Sequence, residues 1–167
     1  GDLLDQGNYN NRVKARLQAA DYRRELSALS IDIETDYGVS QLYSIALYSE
    51  TIAKVVMVGK GEGQVIYAED KSPIELQFHA NEKHLLQAFL QLIAELDPDV
   101  LMGWNVVNFD LKCLQDFADK AGVKLTLGRN NEAISWRQSR DSDQRFYALV
   151  PGRVILDGIE LMRSATY

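Results

Sequence analysis

The sequence predicts an α/β fold, a mixed β-sheet with helices packed on both of its faces. Three β-rich segments come first in the chain, and segments that alternate between strand and helix periodicity follow them. An antiparallel meander followed by β-α units builds a sheet of this kind. The chain has 167 residues, 46% hydrophobic and 25% charged, which fits one globular domain and excludes disordered and collagen-like classes.

The meander is predicted from β-rich segments that turn-type residues separate. These segments span 29–35, 41–48 and 52–58. Before them, Val13, Ala15 and Leu17 alternate with polar residues, which predicts one more half-buried strand.

Two amphipathic helices with a strand between them are predicted in the middle of the chain. The first begins after Asn81, a good N-cap residue, and ends at Asp97. Its apolar positions recur at helical spacing: Leu85, Leu86, Phe89, Leu90, Ile93 and Leu96. A short buried strand at 100–104 follows, and helical periodicity then predicts the second helix from Leu111 until Gly122 ends it.

The last part of the chain predicts a hairpin and a final β-α unit. Segments 133–137 and 145–150 are β-rich and flank the polar segment 139–143, a pattern typical of a hairpin. Segment 153–157 predicts a last strand that enters a helix.

Charge and cysteine content exclude several classes of protein. Eighteen Lys and Arg against 24 Asp and Glu give a net charge of −6, so a surface that is basic all over is excluded. A single cysteine, Cys113, excludes a disulfide scaffold, and no apolar run reaches the roughly 18 residues that span a bilayer. The chain begins at Gly1 without a secretory signal, so we interpret it as an intracellular piece of a longer protein with no membrane partner.

Neither a phosphate-binding loop nor a hydrolase motif in the sequence supports another class of enzyme. Segment 59–63 imitates a phosphate-binding loop, but a β-rich segment follows where a helix is required, so we predict a hairpin turn there. The sequence has no Gly-x-Ser-x-Gly elbow, paired-cysteine pattern or His-Glu-x-x-His motif, which leaves serine hydrolases and zinc enzymes without support.

Two acids, Asp32 and Glu34, interrupt an otherwise apolar strand. Strand side chains alternate, so both point to one face, about 6.6 Å apart along the strand. At an effective dielectric near 20, their repulsion costs about 2–3 kcal/mol, which a divalent cation such as Mg²⁺ or Mn²⁺ would reverse. A solvated face, or an ion pair with an arginine, explains the pair about equally well.

A second acid lies where a strand enters a helix. Asp110 follows the predicted strand at 100–104, and ligands of open α/β sheets sit at the carboxyl ends of strands. Taken alone, Asp110 is also explained by the helix dipole, which favours an acid in the first turn. Its neighbours Trp104, Asn105 and Phe109 add aromatic faces and an amide that suit a nucleotide.

These residues carry a resemblance to a known family. Asp32-Ile-Glu34-Thr35 and the segment from Gly103-Trp-Asn105 to Phe109-Asp110 resemble the first two exonuclease motifs of the 3′–5′ proofreading domain of family B DNA polymerases. Further segments are similar to the bacterial members of that family: Asp21-Tyr-Arg23, Asp97-Pro-Asp-Val100, Leu127-Gly-Arg129, Ser135-Trp-Arg137, Gly152-Arg153 and Asp157-Gly-Ile-Glu160.

The resemblance implies a ribonuclease-H-like fold with an inserted β-hairpin, and two Mg²⁺ or Mn²⁺ ions that serve hydrolysis of the 3′-terminal phosphodiester of DNA. Asp32 would bridge both ions, Glu34 would hold the ion that activates water, and Asp110 would hold the ion facing the leaving oxygen. The implied substrate-binding residues are Thr35, Trp104, Asn105 and Phe109. The implied partners are DNA, the remainder of a polymerase chain and, through it, a sliding clamp, in the bacterial cytoplasm at the nucleoid.

One part of the family pattern is absent. No tyrosine has an acid four positions on, and no histidine has one five positions on, so the third motif and its fourth carboxylate are missing. Asp157 matches a position at the end of the last strand, for which the resemblance implies a structural role. We therefore divide the chain into an N-terminal strand and linker segment, 1–27, and an exonuclease domain, 28–167, that stops before its third motif and has weak or no activity by itself.

Two other functions stay open on the sequence. One is a free-standing exonuclease of the same superfamily that trims RNA or short oligonucleotides. The other is a nucleic-acid-binding module that keeps the fold without catalysis, which predicts no specific affinity for divalent metal.

Overall fold

The computed structural model describes residues 3–6, 9–12, 19, 21, 23–140, 142 and 145–165, and for the first two ranges it describes the backbone alone. The strands are β1 (Leu3–Gln6), β2 (Tyr9–Arg12), β3 (Ala28–Thr35), β4 (Leu42–Tyr48), β5 (Ala53–Val58), β6 (Gln64–Tyr67), β7 (Pro73–His79), β8 (Val100–Gly103), β9 (Ser135–Gln138), β10 (Phe146–Leu149) and β11 (Val154–Asp157). The α-helices are α1 (Glu82–Leu96), α2 (Asp110–Ala121) and α3 (Gly158–Ser164), and a 3₁₀ turn covers Arg129–Asn131.

Seven strands form one mixed sheet in the order β11-β8-β3-β4-β5-β7-β6. The meander β3-β4-β5 is antiparallel, whereas β3, β8 and β11 are parallel neighbours. Strands β9 and β10 pair separately as a hairpin, and so do β1 and β2. The predicted mixed α/β fold and its inserted hairpin are therefore confirmed.

The sequence patterns failed at one edge of the sheet. Strand β7 was not predicted, and it pairs parallel with β5 and antiparallel with β6. Segment 59–63 therefore connects two strands that are not neighbours, and the predicted hairpin turn is wrong. The strand predicted around Val13, Ala15 and Leu17 lies outside the described residues.

The core forms between the sheet and the first two helices. On β3, Leu29, Ile31 and Ile33 are buried, and α2 packs against this strand and against α1. Helix α1 begins as predicted, because the side chain of Asn81 accepts a hydrogen bond from the His84 N–H at 3.0 Å. Helix α2 ends at Gly122, whose φ of 65° is the left-handed conformation that glycine adopts without strain.

An ion-pair network ties the chain together at the amino end of β8. The side chain of Arg129 donates to Asp97 and to Asp99, each at 2.9 Å. Arg153, whose side chain is 3% exposed, donates to Asp97 at 2.8 Å and to the carbonyls of Leu127 and Pro98. The hydrogen bond from Arg129 lowers the pKa of Asp99 to about 2. This network lies at the end of β8 opposite to Gly103.

Candidate active site

Strand β3 presents Asp32 and Glu34 to solvent on one face. The two acids are exposed, while Ile31 and Ile33 on the other face are buried. Their cross-strand partners on β4 are the half-buried Ala46 and Ser44. The predicted alternation is thus confirmed, and both carboxylates are free to bind a ligand from the same side.

Thr35 follows these acids where the strand becomes irregular. The register between β3 and β4 shifts between Glu34 and Thr35. The Thr35 hydroxyl donates to the backbone carbonyl of Asp36 at 3.0 Å. Thr35 is half-buried, so it lies at the border of the exposed acidic face.

Asp110 is brought to the middle of β3 by a backbone hydrogen bond. It is the first residue of α2 and only 1% exposed, and its Oδ1 accepts the N–H of Ile33 at 3.1 Å. Ile33 stands between Asp32 and Glu34. The pairing of β3 with β8 ends at Ser30. The Ile33 amide therefore lies beyond the paired part of the strand and can bond a side chain.

Burial raises the pKa of the Asp110 carboxyl to about 6. Hydrogen bonds from its own N–H and from Ile33 oppose this shift, and the negative charges of Asp32 and Asp157 add to it. The site therefore combines a buried carboxyl that resists ionisation with carboxylates that lie in water. A cation beside them would favour the ionised form of Asp110.

The chemistry of these donors fits a hard divalent cation, because carboxylate oxygens are the ligands that Mg²⁺ and Mn²⁺ prefer. Asp110 bonds the N–H of Ile33, the residue that follows Asp32, so Asp32 and Asp110 belong to the same part of the structure. Among the residues that the structure describes, however, no three His, Cys, Asp or Glu side chains gather closely enough to hold a metal ion. The structure brings Asp110 to β3 but does not close Asp32, Glu34 and Asp110 into one cluster.

The loop between β8 and α2, residues 104–109, holds the predicted nucleotide-contacting residues. Asn105 has a φ of 56°, a left-handed conformation that asparagine tolerates well, and its carbonyl accepts the Phe109 N–H at 3.0 Å. Trp104 is 67% exposed and Phe109 is 38% exposed. Two aromatic faces are thus open to solvent next to the acidic face.

Two further residues fasten this loop, and the sequence patterns did not reveal these contacts. Asp157 is 5% exposed; its Oδ2 accepts the Val107 N–H at 3.0 Å and its Oδ1 accepts the Ile159 N–H at 2.9 Å. The side chain of Asn108 accepts the Phe146 N–H at 2.7 Å. For Asp157 a signal was present, because an Asp with Glu three residues later is typical of a helix start. These contacts of Asp157 fit the structural role that the family resemblance implied.

The hairpin β9-β10 packs on α2 through aromatic side chains. Trp136 and Phe146 make an edge-to-face contact with ring centroids 6.4 Å apart, and the Lys112 ammonium lies over both rings. The indole N–H of Trp136 donates to Gln115 at 3.2 Å. The hairpin is therefore held beside the 104–109 loop.

No helix in the described part of the chain is long and apolar enough to cross a bilayer.

Comparison with known proteins identifies relatives for nearly the whole chain. The sequence model of one family, "DNA polymerase family B, exonuclease domain", matches residues 8–167. The chain is 40% identical to DNA polymerase II of Escherichia coli over 165 residues, which is 99% of this chain and 20% of that protein. It is 31% identical to a DNA polymerase of Thermococcus litoralis over 139 residues, which is 83% of this chain and 8% of that protein. The chain thus spans about a fifth or less of the length of these relatives.

Proposed function

The chain belongs to the exonuclease domain family of the family B DNA polymerases, and from this we propose that it hydrolyses the 3′-terminal phosphodiester of DNA as the proofreading part of a longer polymerase. The observation that carries the proposal is the hydrogen bond from the Ile33 N–H to Asp110. It joins the two acidic motifs across 77 positions of sequence. A binding module would not need to hold a buried carboxyl against the strand that carries two exposed ones.

We propose Asp32, Glu34 and Asp110 as the residues that hold two Mg²⁺ or Mn²⁺ ions in the complete domain. When bound, such ions activate water and stabilise the charge that develops on a leaving oxygen. In the chain itself, the Ile33 amide fixes the Asp110 carboxylate against β3, and the alternation of β3 aims Asp32 and Glu34 the same way. The repulsion among these acids favours cation binding.

The terminal nucleotide would bind between the acidic face and the 104–109 loop. Trp104 and Phe109 offer exposed rings for stacking, and Asn105 offers an amide for a sugar or base edge. Thr35 would contact the same nucleotide from the end of β3. The hairpin β9-β10 lies on the same side, because Asn108 in the loop bonds Phe146.

The organisation of the parent protein is part of the same proposal. Residues 1–27 would be a strand and linker segment, and residues 28–167 would be the exonuclease domain without its third motif. Further partners would be the rest of the polymerase chain and, through it, a sliding clamp. The location would be the bacterial cytoplasm, at the nucleoid.

The test uses the complete polymerase that contains this chain and a 5′-labelled primer with a mismatched 3′ end. Asp32→Ala should slow shortening of the primer by at least 100-fold, because a lost preorganised charge contact costs about that much, and it should leave extension of a matched primer intact. Asp116→Asn, an exposed change on α2, is the matched control and should shorten the primer normally. Shortening by the Asp32→Ala protein within tenfold of the unmutated rate would contradict the proposal.

A further inference from the structure

Asp157 joins the 104–109 loop to the first turn of α3 through one carboxylate. One oxygen accepts the Val107 N–H at 3.0 Å, and the other accepts the Ile159 N–H at 2.9 Å. The residue is almost fully buried, so water does not substitute for these contacts. The loop and the first turn of α3 are therefore linked through this one side chain.

Gly158 gives the same loop a second contact with α3. A Cβ atom at this position would lie 2.7 Å from Cε3 of Trp104 and 3.5 Å from the carbonyl oxygen of Gly103. The indole of Trp104 therefore rests directly on the first residue of α3, at a distance that only glycine permits. Trp104 stays 67% exposed, which leaves much of the ring open to a ligand.

We propose that Asp157 and Gly158 are positioning residues, which hold the 104–109 loop against α3 and thereby set the affinity for the 3′-terminal nucleotide. The inference rests on the proposed function, because it takes this loop as the nucleotide-contacting segment. In this proposal neither residue contacts the nucleotide directly. They act through Trp104, which Gly158 supports, and through Val107, which Asp157 anchors midway between Asn105 and Phe109.

A role confined to capping α3 makes a different prediction. In that case, changes at Asp157 would alter the free energy of unfolding and nothing else. Gly158→Ala would change only the free energy of unfolding, through helix propensity and the crowding against Trp104, and it would leave DNA binding unchanged. The positioning role instead predicts a displaced Trp104 indole and weaker DNA binding in both variants.

Two variants separate these roles. Asp157→Asn keeps one oxygen to cap α3, because asparagine is a good N-cap, but it replaces the other oxygen with an amino group that cannot accept the Val107 N–H. Gly158→Ala leaves both contacts of Asp157 in place and pushes on the indole alone. Asn81→Ala is the control: it removes the cap of α1, a helix without a hydrogen bond to the loop among the residues that the structure describes.

The experiment uses this 167-residue chain with Trp136→Phe, which leaves Trp104 as its only tryptophan. Acrylamide quenching of the fluorescence measures how open the indole is. Fluorescence anisotropy with Mg²⁺ measures the Kd for a labelled oligo-thymidylate, whose terminal phosphorothioate linkage resists hydrolysis. Asp157→Asn and Gly158→Ala should each increase quenching and raise the Kd about tenfold, which corresponds to about 1.4 kcal/mol. Asn81→Ala should lower the melting temperature and leave both readouts unchanged.

The outcomes distinguish the two proposals. If the unmutated chain binds the oligonucleotide and both variants bind it equally well, the positioning role is overturned and the proposed function stands. If the unmutated chain binds no DNA, the positioning role is overturned as a determinant of affinity in this chain, whereas the proposed function is decided separately by primer shortening in the complete polymerase. Acrylamide quenching would then still test whether Asp157 and Gly158 hold the loop against α3. Equal quenching in the unmutated chain and both variants would overturn that claim as well.

Discussion

Replacing Asp110 with asparagine should stabilise the domain at neutral pH when no divalent metal is present. The pKa of this carboxyl is raised from 3.8 to about 6, so the folded state holds its proton more tightly than the unfolded chain does. The stability due to that proton is fully present below about pH 4 and is lost as the pH rises through about 6. Above this range, the folded domain carries an ionised carboxylate that it disfavours.

The magnitude follows from the shift of about two pKa units. Each unit corresponds to about 1.4 kcal/mol, so the ionised Asp110 carboxylate would destabilise the domain by about 3 kcal/mol. We reduce this value to about 2 kcal/mol, because the exposed Asp32 brings water close to the site and water screens the charge. Asparagine keeps an oxygen for the Ile33 N–H and never ionises. In a domain of this size, about 2 kcal/mol raises the melting temperature by roughly 4–8 °C.

The assay is urea unfolding of both proteins in a chelator at pH 4.5 and pH 7.5. Asp110→Asn should be more stable than the unmutated chain by about 2 kcal/mol at pH 7.5, with most of that gain gone at pH 4.5. Asp116→Asn, on the exposed side of α2, should change stability by less than about 0.5 kcal/mol at either pH. An Asp110→Asn protein that is no more stable at pH 7.5, or equally stabilised at both pH values, would refute the reasoning.

Three other predictions follow from contacts described above. Mg²⁺ at ten times its Kd should stabilise the unmutated chain by about 1.4 kcal/mol, which differential scanning fluorimetry detects as a rise in melting temperature. Asp32→Asn should abolish most of this rise, and an equal rise in both proteins would contradict metal binding at Asp32. Arg153→Met should lower the free energy of unfolding by about 1–3 kcal/mol in urea, because it removes the buried donor to the carbonyls of Leu127 and Pro98, whereas Asp97 keeps its ion pair with Arg129; a loss below about 0.5 kcal/mol would show that water replaces these contacts. Gly103→Ala should lower the free energy of unfolding by about 1–3 kcal/mol in the same assay, since its Cβ would lie 2.7 Å from the Ile31 carbonyl oxygen. Unchanged stability would mean that β8 can move away from β3.

Local patterns predicted the elements that local forces determine. Asn81 and Gly122 were predicted as helix ends, because a cap depends on residues within one turn. The shared face of Asp32 and Glu34 was predicted for a similar reason, since alternation is a property of any single strand. The family resemblance then supplied roles for these residues that no local pattern contains.

The remaining features depend on contacts between distant parts of the chain. Strand β7 pairs parallel with β5, and parallel pairing needs a crossover that no short sequence pattern marks. The contact of Asp157 with Val107 joins positions 50 residues apart. A helix-start pattern at Asp157 and Glu160 could have indicated the cap of α3, but it could not indicate the contact of the second oxygen, because the position of the loop is set by tertiary packing.

Strand β3 extends past the end of its pairing with β8, and this gives the candidate site its own reporter of opening. A sheet normally shields its central amides by strand pairing, so that they exchange with deuterium only when the domain opens. The Ile33 amide is shielded by a side chain of α2 instead. Exchange of the Ile33 amide therefore follows the separation of α2 from β3, which is a smaller opening than unfolding of the sheet. The resonance of this one amide records whether Asp110 on α2 is in contact with the strand that carries Asp32 and Glu34.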